Sequence, residues 1–314
     1  MAIGVEDVGV FEGVRGRLEA IAYRMLGSAV EAEDVVQEAF LRWEGADRRA
    51  IEVPEAWLTK VLTRLCLNVL GSARVRRESY VGQWLPEPVL DGDRMLGPAE
   101  TAEQRESVSM AMLLVMERLT PQERAVYVLR EAFGYAHSEI AEMLDLTEAN
   151  CQQILRRARQ HAATGRIRRE VDAATARRIV EEFLAAALSG DTAPLLALLT
   201  SDTVSRGDGG GVVPAVTVPM AGALRVARFL RGLFRPNEHM WELIGGRASL
   251  YPAIANGDPA LVVVVGERVA GVLALDVSAD GVSAITIQVN PAKLGRATRH
   301  WTASDHGKPL STGW

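Results

Sequence analysis

Between Val81 and about Ala102 every helical repeat stops. Pro86, Pro88 and Pro98 each lack a backbone donor, and Gly82, Gly92 and Gly97 bring no side chain to hold a regular element. Neither a helix nor a central strand can run through such a segment. Yet it contains Trp84-Leu85-Pro86-Glu87-Pro88. A fully solvated linker has little use for Trp and Leu, so this piece is expected to dock on something. The break divides the chain. At ~100–200 residues per domain, 314 residues suffice for two or three domains.

On the N-terminal side the pattern is helical. Leu18, Ile21, Ala22, Met25 and Leu26 recur at spacings of three and four, and Gly27 is placed to end that helix. Ser28 opens a second helix carrying Ala32, Val35, Val36, Ala39, Phe40 and Trp43 on one side. A charged loop, Gly45 to Val53, precedes Pro54, a residue suited to a first helical position. Trp57, Leu58, Val61, Leu62, Leu65 and Val69 follow on one face. Beyond the break, Thr120-Pro121-Gln122-Glu123 forms a capping box, and Phe133-Gly134-Tyr135 stops its helix. A short helix, Ser138 to Leu144, turns through Asp145-Leu146-Thr147 into a second helix reaching about Ala162. That is a helix-turn-helix outline.

After Gly165 the character changes. One amphipathic helix carries Ile179, Val180, Phe183, Leu184, Ala187 and Leu188. Strand-like runs follow at Val212–Val218, Trp241–Leu250, Leu261–Val265, Val269–Val277 and Val282–Val289, with turns such as Gly257-Asp258-Pro259 between them. Helices followed by a mostly antiparallel sheet predict an α+β domain. The polar stretch from His300 to Trp314 is expected to be disordered, with its two Trp exposed.

Several classes are excluded or disfavoured. No apolar run approaches the ~20 residues of a membrane span, and Met1 to Asp7 lacks the basic-then-apolar order of a secretory signal. A cytoplasmic location is expected. Cys66 and Cys151 alone make neither a disulfide framework nor a zinc site, and both sit in apolar helical patterns. No metal and no cofactor are expected. The net charge of −5 argues against unaided nucleic-acid binding, yet basic residues cluster at Arg74, Arg76 and Arg77 and again at Arg156, Arg157 and Arg159. Binding through such patches would be weak and salt-dependent.

Two surfaces carry functional chemistry. In the helix after Thr147, Cys151, Leu155 and Ala158 share an inward face, which turns Gln152, Gln153, Arg156 and Arg159 outward. Gln reads adenine edges, and Arg reaches guanine or phosphate. An ordinary helical hairpin with a solvated charged face gives the same pattern. In Glu31 to Arg42, Asp34, Gln37, Glu38 and Leu41 form an outer stripe suited to a basic partner helix, or simply to water.

The run Ala22-Tyr23-Arg24-Met25-Leu26-Gly27 followed by Ala32 to Arg42 closely resembles region 2 of bacterial sigma factors of the extracytoplasmic-function type. Glu55 to Val61 and Arg74 to Arg77 fit the same region. Leu119-Thr120-Pro121-Gln122-Glu123-Arg124, Ser138-Glu139-Ile140-Ala141 and the Arg-rich helix resemble region 4. The Trp84 to Pro88 motif, with Asp208-Gly209-Gly210-Gly211 and Asn290-Pro291-Ala292-Lys293-Leu294, is similar to the subgroup with a fused SnoaL-like (NTF2-fold) domain. Val212 follows the glycines where that subgroup often has Arg, and Ala292 replaces a usual Asp.

The resemblance implies a multidomain chain: region 2 as a helical bundle over 1–80, a linker over 81–106, and the region 4 helix-turn-helix over 107–165. A cone-shaped α+β domain over 171–295 and a polar tail over 296–314 complete it. Asp34, Gln37, Glu38 and Leu41 would meet the clamp helices of the largest subunit of core RNA polymerase, and the flap is a further implied contact. Arg48, Arg49, Trp57, Lys60, Arg64, Arg74, Arg76 and Arg77 would serve the −10 element, where melted bases need pockets and their phosphates need cations. Thr147, Gln152, Gln153, Arg156, Arg157 and Arg159 would serve the −35 major groove. Trp84, Leu85, Pro86, Asp208, Gly209, Gly210, Asn290, Pro291 and Lys293 would be interdomain regulatory positions.

NTF2-fold enzymes use a buried carboxylate as base, and Asp202, Asp208, His239 and Tyr251 are the polar candidates here. No acid–base pair is readable among them, so no catalytic residue is assigned. The three glycines after Asp208 read as a flexible loop. Whether the C-terminal pocket takes a small molecule is left open. The rival readings are a ligand-responsive helix-turn-helix regulator and an NTF2-fold isomerase with a helical appendage. Neither requires the Glu31 to Arg42 surface.

Overall fold

The alternation of helix signals and stop signals is realised closely in the N-terminal half. The computed structural model describes residues 4–78, 80–97, 101–162 and 173–314, apart from the side chains of 5, 73–78, 102, 103 and 173. Helix α1 (Val5–Leu26) ends at Gly27, whose φ of 68° is the left-handed cap conformation. Helix α2 (Ala29–Gly45) starts on Ser28, whose hydroxyl accepts from the Glu31 amide. After a 3-10 turn, Arg48–Ala50, helix α3 (Pro54–Glu78) begins on the proline. Beyond the break come α4 (Ala102–Glu106), α5 (Met110–Met116) and α6 (Pro121–Tyr127), with the capping box of Thr120 and Glu123 formed. A π-helical turn, Val128–Ala132, ends before Gly134 (φ 73°). Helices α7 (His137–Leu144) and α8 (Glu148–Ala162) follow, joined by a turn in which Asp145 takes a left-handed φ of 55°.

The chain divides into two compact units, and the division is not sequential. One comprises the described residues of Met1–Ser79 and Gly92–Gly165; the other comprises those of Tyr80–Asp91 and Arg166–Trp314. In the first, the two helical regions pack together rather than standing as separate bodies. Two buried arginines hold them. Arg24 is fully buried and donates to the Ser107 hydroxyl (2.8 Å) and the Gln104 carbonyl (3.3 Å). Arg124 donates to the Met25 carbonyl (2.8 Å), the Met116 carbonyl and Glu117 (2.8 Å). Burial lowers both guanidinium pKa values to about 10. Cys66 and Cys151 are buried free thiols, and burial raises both pKa values.

The second unit is built on one seven-stranded sheet: β1 (Leu199–Asp208), β2 (Met220–Ala221), β3 (Ser249–Ala255), β4 (Asp258–Val265), β5 (Arg268–Ser278), β6 (Gly281–Gln288) and β7 (Ser311–Thr312). Among the described residues the order is β2-β1-β6-β5-β4-β3-β7, and only the β1–β6 pair is parallel. Alternation along the strands buries both faces. Leu273, Leu275, Ile285 and Ile287 face helices α9 (Ala173–Leu188), α10 (Ala193–Leu198) and α11 (Ala223–Leu233), whose Phe183, Leu195, Val226 and Leu230 complete that core. Val262, Val264, Val272 and Ala274 face Leu90 and the Trp301 ring. This is the helical-plus-α+β architecture expected from the SnoaL-like resemblance.

Three expectations differ from the structure, and one strand lies where none was expected. The run Trp241–Leu250 is not one strand: Asn237 caps a short helix α12 (Glu238–Ile244), which Gly245 ends in the left-handed conformation. Val212–Val218 is irregular, since Pro214 removes a donor and both Val212 and Val218 point to solvent. Strand β1 went unread because its inward residues are Thr203, Ser205 and Gly207 rather than aliphatics. The polar tail is structured: α13 (Gly295–Ala303) leads into β7, and Trp301 is buried between Tyr251 (5.0 Å) and His306 (3.7 Å). Trp314 packs near Phe234 (5.9 Å).

Candidate functional site

In the helical unit, burial of Ala32, Val35, Val36, Ala39 and Trp43 fixes the roll of α2. Asp34 and Gln37 are consequently exposed, and Leu41 is 53% exposed, unusual for an aliphatic side chain. Glu38 lies in the same stripe, paired at 3.0 Å with Arg42. The structure therefore gathers the four expected polymerase-facing residues on one solvent-facing stripe.

The expected −10 residues separate into groups. Arg49 is exposed. Trp57 is half-buried, its ring tilted against Trp43 at 5.8 Å. Arg48 is committed to structure: it pairs with Asp7 (2.9 Å) and donates to the carbonyls of Trp43 (3.0 Å) and Glu44 (2.7 Å). Lys60 and Arg64 on α3 face carboxylates of the helix-turn-helix, Glu142 at 3.8 Å and Asp145 at 2.5 Å. The side chains of Arg74, Arg76 and Arg77 lie outside the described residues.

On α8, burial of Cys151, Ile154, Leu155 and Ala158 turns Gln152, Gln153 and Arg156 to solvent. Thr147 accepts the Asn150 amide (3.2 Å) as helix cap. Arg159 pairs with Glu131 (2.8 Å) and Arg157 lies 3.9 Å from Glu123, so these two are tied back to the unit's own carboxylates.

In the second unit the three sequence motifs meet. Asp208 is 1% exposed at the end of β1 and accepts five hydrogen bonds. Its Oδ2 takes Lys293 Nζ (2.7 Å), the Leu85 amide (3.0 Å) and Gln288 Nε2 (3.4 Å). Its Oδ1 takes the Tyr80 hydroxyl (2.6 Å) and the Gly210 amide (3.0 Å). Lys293 also donates to the Leu85 carbonyl (2.6 Å), so a single ion pair reads both backbone groups of one linker residue. Its ammonium lies 4.1 Å from the Trp84 ring centre and 4.9 Å from that of Tyr80. Asn290 donates to the Tyr80 oxygen (2.7 Å) and caps the 3-10 turn Pro291–Lys293 that aims the lysine. Gln288 reaches the Pro86 carbonyl (3.3 Å).

Further along, Leu85 to Leu90 are buried, and the chain adds to the sheet at the end of β3. The Val89 amide donates to Asn256 Oδ1 (3.0 Å), the Asn256 amide to the Val89 carbonyl (2.9 Å), and the Asp91 amide to the Ile254 carbonyl (3.0 Å). Asn256 can do this because it occupies the left-handed region of the β3–β4 turn.

The triple-glycine segment is a tight turn rather than a flexible loop. A Cβ at Gly209 would lie 1.8 Å from the Val213 carbonyl oxygen, and one at Gly210 (φ 63°) would strike the Asn290 side chain at 2.5 Å. The two departures from the subgroup pattern fall outside the clasp, since Val212 is 68% exposed and Ala292 contributes its backbone amide. Beside the clasp a cleft of about 320 Å³ runs between Val81 to Gln83 and Gly207, Val213 and Val216, and among the described residues its lining carries no charge.

The other candidates have local roles. Asp202 accepts from Thr200 (3.0 Å), His239 is exposed, and Tyr251 packs on Trp301. Sequence reasoning missed Tyr80, Gln288 and Asn256. Asn256-Gly257 was the readable signal among them, as a hairpin-turn dipeptide.

Comparison with known proteins agrees with this geometry. Residues 10–77 match the family model for sigma-70 region 2, and residues 109–161 match that for sigma-70 region 4. The chain is 39% identical over 229 residues to the ECF RNA polymerase sigma factor SigJ of Mycobacterium tuberculosis, covering 72% of this chain and 73% of the relative. It is 33% identical over 286 residues to the probable ECF RNA polymerase sigma factor SigI of the same species, covering 89% and 92%. The crystal structure of the M. tuberculosis SigJ superposes with a TM-score of 0.70 at 32% identity, covering 91% of this chain and 97% of that one. Two sigma regions, here joined to a sheet-built second unit, thus define a transcription initiation factor. The chain belongs to the extracytoplasmic-function RNA polymerase sigma factors. It binds core RNA polymerase, recognises promoter DNA and initiates transcription, and is not an enzyme.

Two outcomes test the clasp. Lys293→Met leaves the Asp208 carboxylate buried without its cation and should destabilise the second unit by about 3–5 kcal/mol, read as a lower denaturant midpoint. Adding Asp208→Asn should restore part of that loss. The Tyr80 phenol is raised well above its ordinary pKa of 10, by burial first and then by its bond to Asp208. A raised pKa means stability that is full below about pH 10 and is lost as pH climbs toward the native value. The stability difference between the parent and Tyr80→Phe should therefore shrink above about pH 10 and stay constant below it.

Proposed function

We propose that the C-terminal unit controls this sigma factor in cis by holding the segment that joins its two sigma regions. One observation carries the reading: residues 80–91 belong to the compact unit of the C-terminal domain, not to that of the regions they connect. The −35 and −10 elements lie about 25 base pairs apart, roughly 85 Å at ~3.4 Å per pair. Regions 2 and 4 packed as one body cannot reach both, so loading requires them to part. Twelve released residues, 80–91, span up to roughly 40 Å when extended, whereas a clasped segment does not extend. The SnoaL-like unit thereby sets how readily the factor opens.

The rest of the assignment follows the exposed surfaces. Asp34, Gln37, Glu38 and Leu41 meet the polymerase clamp helices. Arg49, Trp57, Lys60 and Arg64 serve the −10 element. Thr147, Gln152, Gln153 and Arg156 serve the −35 groove. Lys60–Glu142 and Arg64–Asp145 are largely exposed pairs, worth about 0–1 kcal/mol each, so promoter phosphates can displace these carboxylates at little cost. A small-molecule ligand of the cleft beside Val81 would be uncharged and would touch the linker directly.

The test is run-off transcription with purified core polymerase. Full-length chain, chain ending near Glu170, and Trp84→Ala should differ in output, with the point variant reproducing part of the truncation's change. Equal output from all three would end the cis-control reading. Asp34→Lys/Glu38→Lys should reduce retention by core polymerase without altering the melting of the free chain.

A further inference from the structure

Helix α11 carries a basic stripe that the fold does not use. From residue 209 to residue 237 the chain contains no Asp, Glu or Lys, and its only charged side chains are Arg225, Arg228, Arg231 and Arg235. All four are exposed. Arg235 donates to the Gly190 carbonyl (3.2 Å). Among the described residues, Arg225, Arg228 and Arg231 have no ion-pair or hydrogen-bond partner. Their spacing of three places them on one face of the helix. The opposite face fixes their direction, because Val226, Ala227 and Leu230 are fully buried against the sheet and Phe234 is 4% exposed. The arginines are therefore presented by a rigid element.

Folding alone disfavours this arrangement. Arg225 sits in the first turn, where the helix dipole repels cations and where no acidic residue compensates. Like charges three or four residues apart weaken a helix further. An ordinary solvated face mixes both signs, as in α9, where Arg177 pairs with Glu181 at 2.7 Å. In a chain of net charge −5, an uncompensated stripe of one sign calls for a polyanionic partner. Arg225 to Arg231 cover about 9 Å of helix, the length of two to three phosphates of one strand at about 3.4 Å each. A family member initiates transcription on duplex DNA, which is a regular polyanion.

We propose that α11 of the C-terminal unit binds the phosphate backbone of duplex DNA without reading sequence, as a third DNA contact beside regions 2 and 4. This rests on membership of the sigma family and not on cis control through the linker.

The experiment uses the full chain assembled with core polymerase, and measures binding to promoter and non-promoter duplexes across a salt series. Three proteins are compared: the parent, Arg225→Ala/Arg228→Ala/Arg231→Ala, and the corresponding triple Lys variant. Each lost phosphate contact lowers the slope of log affinity against log salt by about 0.9, so the Ala variant should show a slope about 2–3 shallower on both duplexes. The Lys variant should keep the parental slope. An Ala variant with the parental slope overturns the proposal. So does an Ala variant that keeps this slope but is retained less by core polymerase without DNA, which would assign the stripe to an acidic protein surface. Run-off output of Trp84→Ala reads the linker separately, so failure of one reading leaves the other standing.

Discussion

One buried ion pair organises the C-terminal half of this sigma factor. Asp208 and Lys293 sit 2.7 Å apart with side chains 0% and 9% exposed, and both spend remaining bonding capacity on the backbone of Leu85. Removing two charges from water is expensive, and such a pair adds little to stability compared with an apolar replacement. Its return is specificity. Only a backbone with Leu85 in this register satisfies the carboxylate and the ammonium together, and the Tyr80 phenol and Asn290 amide close the remaining positions. The aliphatic burial of Leu85, Val89 and Leu90 supplies the bulk of the affinity; the ion pair decides which segment is held.

The helical unit uses the opposite arrangement of charge. Arg24 and Arg124 are buried and join regions 2 and 4 through backbone carbonyls and hydroxyls, whereas Lys60 and Arg64 meet their carboxylates in solvent. Interior bonds of this kind are costly to break, and exposed pairs are not. The side chains proposed above for DNA thus meet weak contacts that phosphates can replace, while the packing that joins the regions runs through buried bonds.

Much of this was legible in the residues. Capping signals at Ser28, Thr120 and Thr147 and the stop at Gly27 placed the helices, because those signals are local and each has a backbone cause. The α2 stripe followed from 3.6-residue periodicity alone. The Trp84 motif, the glycines after Asp208 and the Asn290 motif were recognisable as special, but their meeting point was not, since its bonds join residues 85, 123 and 208 positions apart. Polar inward positions hid β1, and the run Trp241–Leu250 read as a strand although Asn237 and Gly245 cap Glu238–Ile244 as a helix. The polar tail misled because Trp301 is buried and Trp314 partly buried against the sheet and its helices, which no local pattern announces.

The central claim is that the C-terminal unit holds the linker through Asp208 and Lys293, and backbone hydrogen exchange at Leu85 in the full-length chain tests it most directly. The account predicts that the Leu85 amide exchanges only on the opening of the second unit, as slowly as the amides of β5 and β6. Exchange at Leu85 at the rate of an unstructured peptide, with β5 and β6 still protected, would contradict it.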